Sequence, residues 1–140
     1  MIKPSARRKA RSLALQAIYQ WQLTCEDEAN IRRQFIEKLN PKKVDIEHFY
    51  DLLNGVIRNV MILDEIITPH IDRKIDDLDL VELAVLRLAT YELKQHLDVP
   101  YKVVINEALE LTKIFGSIAG YKYINGILDK VARILREHLH

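Results

Sequence analysis

The sequence predicts an all-α protein, a bundle of six or seven helices in two packed subdomains. Three observations carry this. Apolar residues recur at three- and four-residue steps through nearly the whole chain, the spacing that builds one face of a helix. No segment of useful length alternates apolar with polar residues, so strands have little support. Gly and Pro number four each among 140 residues, which leaves no room for long irregular stretches, while the 49% hydrophobic content suffices for a core.

Each helix has its own signals. Pro4 suits a first helical position, because its missing amide would be unpaired there anyway. Ala14, Ala17, Ile18 and Trp21, with Leu13 beside them, then mark a helix over residues 5–23. A shorter helix fits residues 27–39 and ends before Asn40-Pro41. Asp45 is placed to cap the third, whose stripe is Phe49, Leu52, Leu53, Val56, Ile57 and Val60. Asn54-Gly55 lies inside that stripe, and the helical period outweighs a hairpin reading of the dipeptide. The stripe weakens near Pro69, where the helix bends or stops. Asp79, with Glu82 three residues on, resembles a capping box. Leu80, Leu83, Ala84, Leu88 and Tyr91 follow on a broad apolar face. Asp98-Val99-Pro100 closes this helix and opens the next, which runs to Gly116. The last starts at Ile118 or Tyr121, with Ile124, Ile127, Leu128, Val131 and Leu135 as its core. The break at residues 69–78 divides the chain into helical halves of about 1–70 and 76–140. Gly126, mid-helix, reads as a point of close helix approach.

Charge is distributed unevenly. The net charge is only +1, but residues 1–25 hold Lys3, Arg7, Arg8, Lys9 and Arg11 and no acid. The rest carries 16 bases against 20 acids, a net of −4. A basic front on a mildly acidic body is an electrostatic footprint for a polyanion. On a helix, Arg8, Ser12, Gln16 and Tyr19 fall opposite Ala14, Ala17 and Trp21. Guanidinium groups grip phosphates and a phenol ring stacks on a base, so this side has the ingredients for single-stranded RNA. The bland alternative is a solvated helix end. It fits less well, because cations near a helix N-terminus oppose the macrodipole. Lys122 with Tyr123 offers a second cation beside a ring, although core packing is the commoner role for Tyr101, Tyr121 and Tyr123.

Catalytic and metal patterns are missing from the sequence. His48, His70, His96, His138 and His140 form no metal motif; His138 and His140 could share an ion, but a frayed terminus rarely orders one. No phosphate-binding loop or nucleophile elbow occurs. Glu107 with Glu110 reads as an exposed face, and Arg87 as a surface-pairing residue. Cys25 is the only cysteine, which excludes an internal disulfide. With no apolar span and no secretion core, the expectation is a cytoplasmic, non-enzymatic protein without cofactor or metal.

Several segments together resemble the NusB family. They are K-P-S-A-R-R-K-A-R (residues 3–11), L-Q-A-I-Y-Q-W (15–21), V-E-L-A-V-L-R-L-A-T-Y-E-L (81–93), D-V-P-Y-K-V-V-I-N-E-A-L-E-L-T-K-I-F-G (98–116) and Y-K-Y-I-N-G-I-L-D-K (121–130). The likeness covers nearly the whole chain in order, as one domain over residues 1–140. It implies a transcription antitermination factor that binds boxA-type single-stranded RNA in nascent ribosomal RNA transcripts. It implies binding as a heterodimer with the ribosomal protein NusE, and joining RNA polymerase with other Nus factors. Homodimers also occur in the family. Carried over residue by residue, the RNA-binding set is Lys3, Arg7, Arg8, Lys9, Arg11, Tyr19, Lys122 and Tyr123. Glu82 matches an acidic residue on the side facing NusE. Relatives are expected to carry an acidic or polar residue near Ala119. Its absence here should reduce repulsion of phosphate, so restoring Asp should weaken RNA binding. The resemblance also implies a second reading, an accessory helical domain of the kind fused to RNA methyltransferases, and a third is a protein-interaction bundle that uses the acidic body and ignores RNA.

Overall fold

The computed structural model describes residues 3–137, and His138 and His140 lie outside them. Among the described residues there are seven α-helices: α1 (Pro4–Thr24), α2 (Glu28–Phe35), α3 (Ile46–Arg58), α4 (Val60–Ile67), α5 (Leu80–Gln95), α6 (Tyr101–Phe115) and α7 (Ile118–Leu135). Single 3-10 turns follow α2 and α4 and precede α5. No strand occurs among the described residues. The chain divides into two compact units, one ending at Arg58 and the other beginning at Asn59.

In the first unit α1 packs on α3 and α2. Its inner face is Ala10, Leu13, Ala14, Ala17 and Ile18, all buried. Three of these are alanines, which let a neighbouring helix come close. Pro4 opens the helix as predicted, and no side chain caps it. At its other end Cys25 adopts the left-handed conformation (φ 58°, ψ 21°) and its amide bonds to the Trp21 carbonyl. Asp27 caps α2 by accepting from the Asn30 amide at 2.8 Å. Phe35 meets Phe49 of α3 with ring centroids 6.1 Å apart. Asp45 does two things at the start of α3. Its carboxylate accepts from the His48 amide at 3.1 Å, and its own amide donates to the Ala6 carbonyl at 3.1 Å. The beginnings of α1 and α3 are thereby stitched together. Gly55 is buried within α3, so the helical reading of Asn54-Gly55 holds.

One boundary differs from the sequence reading. The apolar stripe continues past Val60, yet the helix breaks at Asn59, whose backbone (φ −110°, ψ 16°) is not helical. Asn is a poor helix former that tolerates such dihedrals, and periodicity does not register it. A further stop follows at Pro69, within the 3-10 turn after α4.

In the second unit α5 is central and packs on α4, α6 and α7. Every residue from Leu83 to Leu93 is buried, so the helix is covered on all sides rather than on one face. Asp79 caps it, accepting from the Val81 and Glu82 amides at 2.9 and 3.1 Å. Arg87 is not a surface residue, being only 8% exposed. It reaches α4 and binds Asp64 through two hydrogen bonds, Nε to Oδ1 at 2.9 Å and Nη2 to Oδ2 at 2.8 Å. A cation inside a packed helix requires such a partner. The last turn of α5 leaves carbonyls unpaired, and the buried Arg136 guanidinium takes that of Leu93 together with two from the segment that follows the helix. It donates to the carbonyls of Leu93 (2.7 Å), Val99 (2.9 Å) and His96 (2.9 Å).

Helix α7 buries Ile124, Ile127, Leu128 and Val131 as predicted, while Leu135 is half-buried. Gly126 is not a contact point. It is exposed, and a Cβ built there meets nothing within 4 Å. Among the described residues no helix is long and apolar enough to cross a membrane.

Candidate nucleic-acid interface

The predicted basic arm is part of a helix. Arg7, Arg8 and Lys9 occupy the first two turns of α1, and Lys3 is the residue before it. That first turn contains no acid. Lys3, Arg8 and Lys9 are exposed, whereas Arg7 is half-buried. Arg7 Nε lies 3.5 Å from Asp45 Oδ2, with the Arg7 side chain 34% exposed and that of Asp45 5%. One cation of the predicted set is therefore partly offset by the protein's own carboxylate. Arg11 departs further, being only 5% exposed. Its helical neighbours four and seven positions on are Leu15 and Ile18, both buried. That spacing places Arg11 on the core stripe, and the sequence contained the signal. Ser12, Gln16 and Tyr19 are half-buried along one side of α1, and Gln16 Nε2 donates to the Ser12 carbonyl at 3.2 Å.

A second group forms in the other unit, around the first turns of α7. Lys122 is exposed and Tyr123 half-buried. The Tyr123 hydroxyl donates to Asp72 Oδ1 at 3.0 Å. Arg73 donates to the same carboxylate, Nε to Oδ1 at 2.8 Å and Nη2 to Oδ2 at 3.3 Å. Its guanidinium carbon lies over the Tyr123 ring, 4.9 Å from the centroid. Hydrogen bonds from Arg73 and then Tyr123 hold the Asp72 carboxyl below its ordinary range, so it is charged at neutral pH. Burial, and then donation to Asp72, push the Tyr123 phenol up, so it is neutral there. Sequence reading missed Asp72 and Arg73. They sit in a stretch that reads only as a helix break, and 51 positions separate Asp72 from Tyr123. No local spacing links them.

Glu82, in the first turn of α5, is half-buried. Burial, then the neighbouring Asp79 charge, raise its carboxyl, and Arg73 acts against them. A Cβ built on Gly120 would fall 2.9 Å from Glu82 Oε2 and 3.2 Å from Ser117 Oγ. The carboxylate thus lies directly on the first turn of α7. That turn has no acid of its own, and Ser117 caps it by accepting from the Gly120 amide at 3.0 Å. A helix N-terminus favours a carboxylate, but burial and the Asp79 charge outweigh this, so the Glu82 charge is held there at a net cost. Ala119 is exposed in this same turn. The turn has therefore not lost its negative charge: Glu82 supplies one from another helix.

Known proteins match both the sequence and the architecture. The transcription antitermination protein NusB of Alcanivorax borkumensis is 54% identical over 133 residues, covering 95% of this chain and 89% of the relative. That of Pseudoalteromonas translucida is 52% identical, covering 97% of this chain and 100% of the relative. Among solved structures, T. maritima NusB superposes with a TM-score of 0.82 at 29% identity, over 95% of this chain and 93% of that one. A crystal structure of antitermination factors NusB and NusE in complex with dsRNA gives a TM-score of 0.84 at 28% identity, over 94% of this chain and 99% of that one. The NusB family model matches residues 8–133, nearly the full length, and the chain belongs to the NusB family.

Proposed function

We propose that the chain is a non-catalytic transcription antitermination factor of the cytoplasm. It binds boxA-type single-stranded RNA in nascent ribosomal RNA transcripts together with NusE. With other Nus factors it keeps RNA polymerase processive. Residues 1–140 act as one NusB-like domain. The observation that carries the RNA-binding part is the start of α1, where Lys3, Arg8 and Lys9 are exposed beside a first turn without acid. Cations there oppose the helix macrodipole, and an approaching phosphate chain offsets that opposition. Arg7 contributes a partly offset charge, and Arg11 supports the helix from inside. Tyr19 and Lys122 contact the RNA, Tyr123 belongs to the same RNA-binding corner, and Glu82 faces NusE. The likeness to a structure of NusB and NusE in complex with dsRNA, and to antitermination proteins, supports NusE and RNA as partners.

The test is a fluorescence titration with a boxA-type oligonucleotide over a range of salt. Arg8→Ala with Lys9→Ala should weaken binding several-fold. It should also flatten the salt dependence by about 1.4 in log–log slope, at roughly 0.7 per lost single-strand phosphate contact. A double-stranded competitor should displace the oligonucleotide poorly. Unchanged affinity and slope would remove the start of α1 from the interface.

A further inference from the structure

Tyr123 is poorly placed to stack on a base by itself. Its hydroxyl is committed to Asp72, and the Arg73 guanidinium covers a face of its ring. Arg73 is the outer member of this stack. Its side chain is 46% exposed, and it spends Nε and Nη2 on Asp72. Its Nη1 has no partner among the described residues. The guanidinium is held on two sides, by a carboxylate in its plane and an aromatic ring against its face. Such a fork loses little side-chain freedom when it meets an anion. Asp72 alone would repel phosphate; paired with Arg73 it acts as a clamp.

We propose that Arg73 is an RNA phosphate contact, and that Tyr123 and Asp72 are positioning residues that hold its guanidinium toward the strand. The role rests on the RNA-binding function proposed above. It assigns to the segment between α4 and α5 a cation that sequence periodicity passes over. It also moves Tyr123 from touching RNA to backing the group that does. Lys122, exposed one residue away on α7, adds a second charge to the same corner.

A double-mutant cycle on the full chain, with NusE present, tests this by titrating a boxA-type oligonucleotide at several salt concentrations. Arg73→Ala should weaken binding about five- to tenfold and reduce the log–log salt slope by about 0.7, one single-strand phosphate contact. Tyr123→Leu should weaken binding in the native background and add little once Arg73 is gone. Tyr123→Phe, which keeps the ring, should lose less than Tyr123→Leu. Thermal melts confirm that each variant folds, and Arg73→Ala, at an exposed position, supplies the decisive slope whatever becomes of the Tyr123 variants. If the wild type binds and Arg73→Ala matches it in affinity and slope, the phosphate role of Arg73 is overturned and the function stands. If Tyr123→Leu costs the same in both backgrounds, Tyr123 touches RNA directly and its positioning role is overturned. If the wild type itself fails to bind, both readings fall.

Discussion

Glu82 and Gly126 show how single side chains are tuned here. Because burial raises the Glu82 carboxyl above its ordinary value, the folded chain binds a proton there that the unfolded chain releases. Stability therefore falls as pH rises from the ordinary carboxylate range through the raised value, and above it the fold carries the full cost of the charge. Glu82→Gln should accordingly raise the melting temperature at pH 7, and the advantage should vanish on titration below pH about 4. A gain of equal size at both ends would rule out ionisation as its source. Gly126 is simpler. Open space surrounds it on an exposed helical face, so Gly126→Ala should stabilise by about 1 kcal/mol in chemical denaturation. A loss would mean that the position is needed for a partner or a bend.

At the scale of helices, capping was the most readable layer. Pro4, Asp27, Asp45, Asp79 and Ser117 each stand at a helix start; Asp45 and Asp79 were legible as caps and Pro4 as a first helical position, whereas the caps Asp27 and Ser117 were not read. Local hydrogen bonds span three or four residues, within reach of sequence inspection. The Asn59 break was not legible, because the apolar stripe runs straight through it. Neither was the Arg136 cap on α5, whose hydrogen bonds to Leu93 and Val99 cross 43 and 37 positions. The candidate site divides the same way. The exposed cations of α1 could be read from a run of bases, and Arg11 could have been excluded from Leu15 and Ile18. Arg73 beside Tyr123 needed the fold. Asp45 links the two kinds of information, as a helix cap that also faces Arg7. Asp45→Asn keeps a capping acceptor but removes the opposing charge. It should leave thermal stability nearly unchanged while tightening RNA binding and steepening its salt dependence. Equal binding would show that Asp45 does not restrain Arg7.

Taken whole, the molecule sets a cationic helix start against a remainder of net −4. Such an arrangement orients approach to a polyanion but supplies modest affinity by itself, since few phosphates are met. The gain on adding NusE is therefore the informative quantity. Measured as the ratio of dissociation constants for a boxA-type oligonucleotide with and without NusE, it should exceed tenfold, or about 1.4 kcal/mol of coupling. By reciprocity RNA should strengthen the NusE contact by the same factor. A ratio near one would reduce the heterodimer to two independent binders. Sedimentation of the chain alone over a concentration series would show whether self-association competes with either partner.

The stitch between the Asp45 amide and the Ala6 carbonyl bears on speed as well as strength. A tail of loose lysines and arginines would search for its target by reaching out and would freeze many torsions on arrival. Here the positive groups ride on a splinted turn, already ordered before any strand arrives. Docking should proceed as a near-rigid collision, with a small heat-capacity change and an arrival rate governed by ionic strength rather than by chain rearrangement.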